Sequence, residues 1–437
     1  MTGILDRYSE QLQRCVPWQW RGRVIESAGQ TIESAGPPAS VGEYCRIVDR
    51  SGKSHLAEVI GFHGSNVISM PFETIEGLRF GDAVVALGTH PAMDAGPALI
   101  GRVLNAMGKP IDGGPALGAG QPLPLHGTLR SPLDRLPIRS PLGTGIRVVD
   151  GLLTVGRGQR VGIFGGSGVG KSTLIGMMTR NTEADVTVVA LTGERGREVG
   201  EFLTDSLGDE GLARSVVIVS TSDQSPLMRM RAPLVATTIA EYFASQGKDV
   251  LLVLDSLTRF AMAAREIGLA AGEPPTAKGY TPSVFTRLAK LVERAGQFRS
   301  GSITAFYTVL MEGDDQQDPL VDAVRSLLDG HVVLSRALAS EGWYPPIEVL
   351  DSISRLMPAV TEPEHRQQAA LVRRLSAAYA RSEDLVRIGA YKAGADHELD
   401  RALRARDLMR PFMTQDAKER SSFSDSRTRL AELAAEI

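Results

Sequence analysis

The chain has 437 residues but only two cysteines, three tryptophans and, among 48 basic side chains, eight lysines. Cys15 and Cys45 form no CxxC pair and are too few for a disulfide framework, which suits a reducing compartment. No run of about 18 apolar residues occurs, so a membrane-spanning helix is excluded. The opening Met1-Thr-Gly-Ile-Leu-Asp-Arg7 lacks the basic flank and apolar core of a signal peptide, and a cytoplasmic location is expected. Charge of one sign is also missing: 48 basic against 51 acidic residues leave a formal charge of -3, with no long block of either. Nothing in that balance points to nucleic acid as a partner.

What is present is glycine in a particular place. Gly165-Gly166-Ser167-Gly168-Val169-Gly170-Lys171-Ser172, with Thr173 next, follows the apolar run Arg160-Val-Gly-Ile-Phe164 and precedes a helical stretch. Glycines let backbone amides approach phosphate oxygens, and the following helix aims its positive end at them. Lys171 is expected to reach the β- and γ-phosphates, and the Ser172 hydroxyl to ligate Mg²⁺. The expected ligand is therefore a nucleoside triphosphate with Mg²⁺.

The rest of the chain divides around this loop. Ile4, Leu5, Tyr8, Leu12 and Val16 recur at helical spacing within residues 1–21. Such a short helix needs either its own domain or a partner to cover its stripe. Short β-branched runs such as Tyr44-Cys-Arg-Ile-Val48 and Leu56-Ala-Glu-Val-Ile-Gly-Phe62 predict a small β-barrel over 22–90. From 91 to 150, glycine and proline predict irregular, extended chain that connects rather than packs.

Near-continuous apolar runs then alternate with helical stretches up to 358, which predicts a mainly parallel sheet covered by helices. Residues 91–358 thus form one unit with its lead-in. Residues 359–437 read as a helical domain with Leu371, Leu375, Ala378 and Leu385 on one side, and the charged stretch 416–429 is expected to fray.

Two carboxylates belong at the phosphate edge. Asp255 ends the run Val250-Leu-Leu-Val-Leu254, where parallel sheets bind ligands, and is expected to hold the metal through water. Glu194 ends the strand 186–191 in Thr192-Gly-Glu-Arg195 and can orient or deprotonate water.

The glycine loop, Gly193-Glu-Arg195 and Leu254-Asp-Ser-Leu-Thr-Arg259 together resemble the catalytic subunits of rotary ATP synthases and their type III secretion relatives. Gly272-Glu-Pro-Pro, Gly279-Tyr-Thr-Pro and Thr308-Val-Leu-Met-Glu-Gly-Asp-Asp-Gln-Gln-Asp-Pro319 narrow the resemblance to the flagellar export ATPases, with the virulence-secretion ATPases as the alternative. The resemblance implies a RecA-like P-loop ATPase core, an N-terminal β-barrel, a helical C-terminal domain and a homohexamer.

It also implies roles. Glu194 would be the general base, Arg195 and Arg259 would lie near the γ-phosphate, and Arg355 in Ser352-Ile-Ser-Arg would be an arginine finger for the neighbouring subunit. Tyr344, eleven residues before Arg355, would stack on adenine, with Phe412 as the second aromatic. The implied partners are a regulatory stator-like protein at the N-terminal helix, and an export gate, chaperones and cargo at the C-terminal domain. The implied location is peripheral, at the inner face of the cytoplasmic membrane.

Two departures stand out. Thr281 replaces the family's usual second proline, which predicts a looser loop, and Trp343 stands where relatives commonly carry His. Two other readings compete. A RecA-like nucleic-acid translocase would stack bases on barrel aromatics, for which Phe62, Phe72 and Phe80 are the candidates. A nucleotide-binding scaffold without turnover would lack a reason for Glu194.

Overall fold

A computed structural model describes residues 19–127, 131–311 and 318–437. The stripe at Ile4, Leu5, Tyr8 and Leu12 lies outside these residues, as does 312–317 of the 308–319 motif. Six antiparallel strands close a barrel: β1 (Arg21–Ala28), β2 (Thr31–Ala35), β3 (Tyr44–Val48), β4 (Ser54–His63), β5 (Asn66–Pro71) and β6 (Ala83–Ala86), in the order β1-β2-β5-β4-β3-β6. Val24, Ile32, Ile47, Val59, Val67 and Val84 fill its interior. Closure leaves no edge strand open to a stray chain. Strand β2 escaped the sequence pattern because Thr-Ile-Glu-Ser-Ala carries one large apolar side chain, Ile32, and buries Ser34 beside it.

The glycine- and proline-rich lead-in does more than connect. It contains β7 (Ala92–Ala95), paired with β9 (Gln121–Pro124), and β8 (Val103–Asn105), which becomes an edge strand of the central sheet. Leu99, Leu104 and Leu125 are buried in the core of that sheet.

The central sheet adds β10 (Arg160–Gly165), β11 (Val186–Glu194), β12 (Ser215–Thr221), β13 (Asp249–Asp255), β14 (Gly296–Phe298), β15 (Gly301–Leu310), β16 (Gly330–Leu334) and β17 (Ile347–Ser354). Its order is β17-β16-β10-β15-β13-β11-β12-β8, with β14 against β15. Only β14 and β17 run antiparallel to their neighbours. Strands β10, β11 and β13 therefore end at one edge, and the loops leaving them meet there.

Buried arginines tie the three parts together. Arg231, in helix Pro226–Ser245, packs over the rings of Tyr44 and Phe72 and donates to the Tyr44 hydroxyl, to the Ala106 carbonyl at 3.0 Å and to the Ala92 carbonyl at 3.2 Å. Phe72 is thus a clamp between barrel and core, not a surface for bases, while Phe62 and Phe80 stay exposed. Arg147, in helix Arg147–Leu152, donates to the carbonyls of Pro411 and Thr414 and to Glu419. It holds the C-terminal segment against the core.

That segment consists of helices Pro363–Arg387, His397–Met413 and Phe423–Glu436. Val372, Leu375, Ala378, Ala405 and Leu430 face the core. Leu385, however, is 52% exposed, since the first helix outruns the surface it packs on. The expected fraying is not seen either: Ser422 and Asp425 form a reciprocal capping box, and Leu430 and Leu433 are buried. Thr281 makes no loose loop, because it is fully buried with its hydroxyl against Gly268.

Candidate active site

The glycine loop turns between β10 and helix Lys171–Asn181. Gly168 and Gly170 have φ of +77° and +89°, left-handed values that a side chain would strain. At Gly165 an added Cβ would lie 3.1 Å from the Leu334 and Val169 side chains, so the strand end leaves little room for a side chain. No side chain caps the helix at Gly170. Its first amides remain available to an anion. Ser167, Ser172 and Thr173 are exposed on the loop, whereas Gly166 and Val169 are buried.

Four charged groups converge on this loop. Burial holds the Lys171 ammonium below the ordinary lysine value, and Asp255 and Glu194 oppose that shift. Asp255 is buried at the end of β13 and accepts the Thr308 hydroxyl of β15 at 2.5 Å. Strand β11 shifts register between Thr192, opposite Ser220, and Glu194, opposite Thr221, so Gly193 bulges out of the ladder and Glu194 closes the strand.

Burial pushes the Glu194 carboxyl up to about 7, helped by the charge of Asp255 and a hydrogen bond with Glu198; Arg259 and Lys171 act the other way. Gly193, at φ +72°, makes room for Arg259, whose side chain would lie 3.0 Å from an added Cβ. The Arg259 Nε is buried without a hydrogen-bond partner, which leaves a donor for a ligand oxygen.

Other expected residues lie apart. Arg195 is exposed and pairs with Glu198 at 3.8 Å, on the rim rather than in the cluster. Arg355 follows β17 at the sheet edge opposite the loop, with its amide bonded to the Asp329 carbonyl. Tyr344 is 52% exposed and lies 3.9 Å from the position of a Cβ on Gly170, so its ring borders the loop. Phe412 is corrected: it is 4% exposed and packs on Gly151, so its ring is not free for adenine.

The sequence reading missed Glu198 and Thr308. Glu198 lies four residues after Glu194, within the same short motif, and that spacing was the available signal. Thr308 has no local signal, because only strand pairing brings β15 to Asp255.

The glycine loop with Lys171, Glu194, Asp255 and Arg259 lies in a chain that matches one protein family along nearly all its length. The nucleotide-binding domain of the ATP synthase alpha/beta family matches residues 145–354, its beta-barrel domain 24–88, and the T3SS EscN ATPase C-terminal domain 361–432.

The chain belongs to the ATP synthase alpha/beta family. A flagellum-specific ATP synthase of Treponema pallidum is 53% identical, covering 98% of this chain and 96% of that one. That of Pseudomonas aeruginosa is 51% identical, covering 99% and 97%. The assembled ATPase EscN of the enteropathogenic E. coli type III secretion system superposes with a TM-score of 0.90 at 45% identity, covering 94% of this chain and all of that one, and EscN is also known in complex with its central stalk EscO. In this chain Lys171, Glu194, Asp255 and Arg259 lie around one loop. Among its described residues no helix is long and apolar enough to cross a membrane.

Proposed function

We propose that this ATP synthase family member hydrolyses ATP to ADP and phosphate and thereby energises flagellar type III protein export, with its active site shared between subunits of a homohexamer. The observation that carries the reading is the cluster itself: Glu194, raised to about 7 beside Asp255 and Lys171, is a base poised near neutral pH at the phosphate loop. Lys171 and the loop amides bind the phosphates, Glu194 takes a proton from the attacking water, and Arg259 meets the charge that develops on the γ-phosphate. Tyr344 borders the base.

The residues present suit magnesium carried by the nucleotide. Ser172 offers a hydroxyl and Asp255 a carboxylate, and the described residues contain no cluster of three or more His, Cys, Asp or Glu that would hold an ion alone. Bound magnesium would neutralise charge on the β- and γ-phosphates.

Arg355 serves a neighbour's loop in this scheme, which the assembled form of EscN supports. A stalk-like partner is supported by the EscN–EscO complex. A stator-like protein on the N-terminal helix, export gate, chaperones and cargo at the C-terminal helices, and peripheral placement on the cytoplasmic membrane complete the proposal. A virulence-secretion ATPase would share the chemistry and differ only in the apparatus it feeds. Phosphate release by Glu194→Gln tests the reading: the variant should bind ATP but lose turnover, and retained turnover would overturn it.

A further inference from the structure

Beside Tyr344 a cavity of about 460 Å³ opens toward the C-terminal helices, walled by Tyr344, Arg147, Arg410, Pro411, Thr414 and Gln415 among others. Phe412 turns its ring away, into the core against Gly151. Most polar walls are already engaged. The Gln415 side chain accepts the Arg147 amide at 2.8 Å and donates to the Gly145 and Glu419 carbonyls at 2.9 and 3.1 Å. Arg147 and Arg429 both bind Glu419.

Arg410 differs. Among the described residues it pairs with no carboxylate, and its guanidinium carbon lies 5.5 Å from the ring centre of Trp343. Arg406 approaches the same ring at 5.9 Å, so Trp343 is held in the cationic end of helix His397–Met413. Trp343 immediately precedes Tyr344 in sequence.

We infer that Arg410 forms the second wall of the nucleobase pocket, laying its planar guanidinium on the adenine face opposite Tyr344, where Phe412 cannot reach. The inference rests on the ATPase reading of the site. A guanidinium is flat, weakly hydrated and stacks on aromatic faces, which an ammonium cannot do as a plane. Trp343 acts through Arg410 as a positioning residue, since its indole face holds the guanidinium beside the cavity.

The test uses the full chain, steady-state ATP titrations and calorimetric titration with magnesium and ADP. Arg410→Ala should raise KM for ATP and Kd for ADP roughly five- to tenfold while kcat stays within about twofold. Arg410→Lys should share the defect, because it keeps charge without the plane. Arg410→Tyr should restore affinity. Unchanged KM and Kd in Arg410→Ala, or full affinity in Arg410→Lys, would overturn the inference. Lys171→Ala separates the two readings: turnover surviving that change sinks the ATPase site itself, whereas lost turnover with an unaffected Arg410→Ala sinks only the role of Arg410. Arg410 is exposed, and circular dichroism of each variant checks folding.

Discussion

Arg355 and Lys171 stand at opposite ends of one sheet. Ser354 pairs with Gly330, and Gly330 pairs with Val161 near the start of β10, whereas Lys171 follows the far end of β10 beyond Gly165. The strand from Val161 to Gly165 alone covers about 13 Å. An arginine side chain does not reach its own chain's loop across that span, so Arg355 acts on another copy or not at all.

Complementation follows from this separation. Arg355→Ala should cut kcat on the order of a thousandfold, and Lys171→Ala should be inactive alone. Mixing the two variants should recover part of the activity, because some interfaces then join an intact loop to an intact Arg355. Phosphate release that stays at background in every mixture would exclude a shared site.

Glu194 gives a pH dependence with a defined sign. Its carboxyl, raised to about 7, must lose its proton to act as a base, so kcat/KM should fall as pH drops below that value. Its hydrogen bond with Glu198 contributes to the rise, after burial and the charge of Asp255. Glu198→Gln replaces the charged acceptor that favours protonated Glu194 with a neutral amide whose NH2 can donate to the ionised form, and the acid limb of the pH-rate profile should move to lower pH. An unmoved limb would detach Glu198 from the base.

The clamp at Arg231 predicts a stability effect rather than a catalytic one. Arg231→Ala strips partners from the Tyr44 hydroxyl and the Ala92 and Ala106 carbonyls and empties a buried volume, which should cost about 2–4 kcal/mol. Denaturant unfolding should show the loss, with lowered cooperativity between barrel and core.

Metal removal should separate chemistry from folding. With no dedicated cage of acidic or thiol ligands among the described residues, a chelator should abolish turnover while leaving the Tm of the nucleotide-free protein unchanged. A chelator-induced fall in Tm would indicate a structural ion.

Gly193 offers a conformational test. Gly193→Ala places a Cβ 3.0 Å from the Arg259 side chain at a φ of +72°, which should displace Arg259 and lower kcat more than affinity for ADP. Calorimetry beside turnover reads the difference.

The chemistry was legible in the sequence wherever it lies within a contiguous motif. The phosphate loop, Glu194 and Asp255 each sit at the end of an apolar run, and a run buried on both faces can only be a central strand whose end meets the ligand edge. The barrel, the parallel sheet and the helical end were readable for the same reason, since periodicity of burial is local. Tertiary structure alone decided what depends on neighbours distant in sequence: that Thr308 braces Asp255, that Phe412 faces Gly151 while Arg410 lines the cavity beside Tyr344, that β8 joins the main sheet, and that Arg355 stands away from its own loop. A side chain's partner across a sheet or between helices is set by register and packing, and no spacing along the chain encodes it.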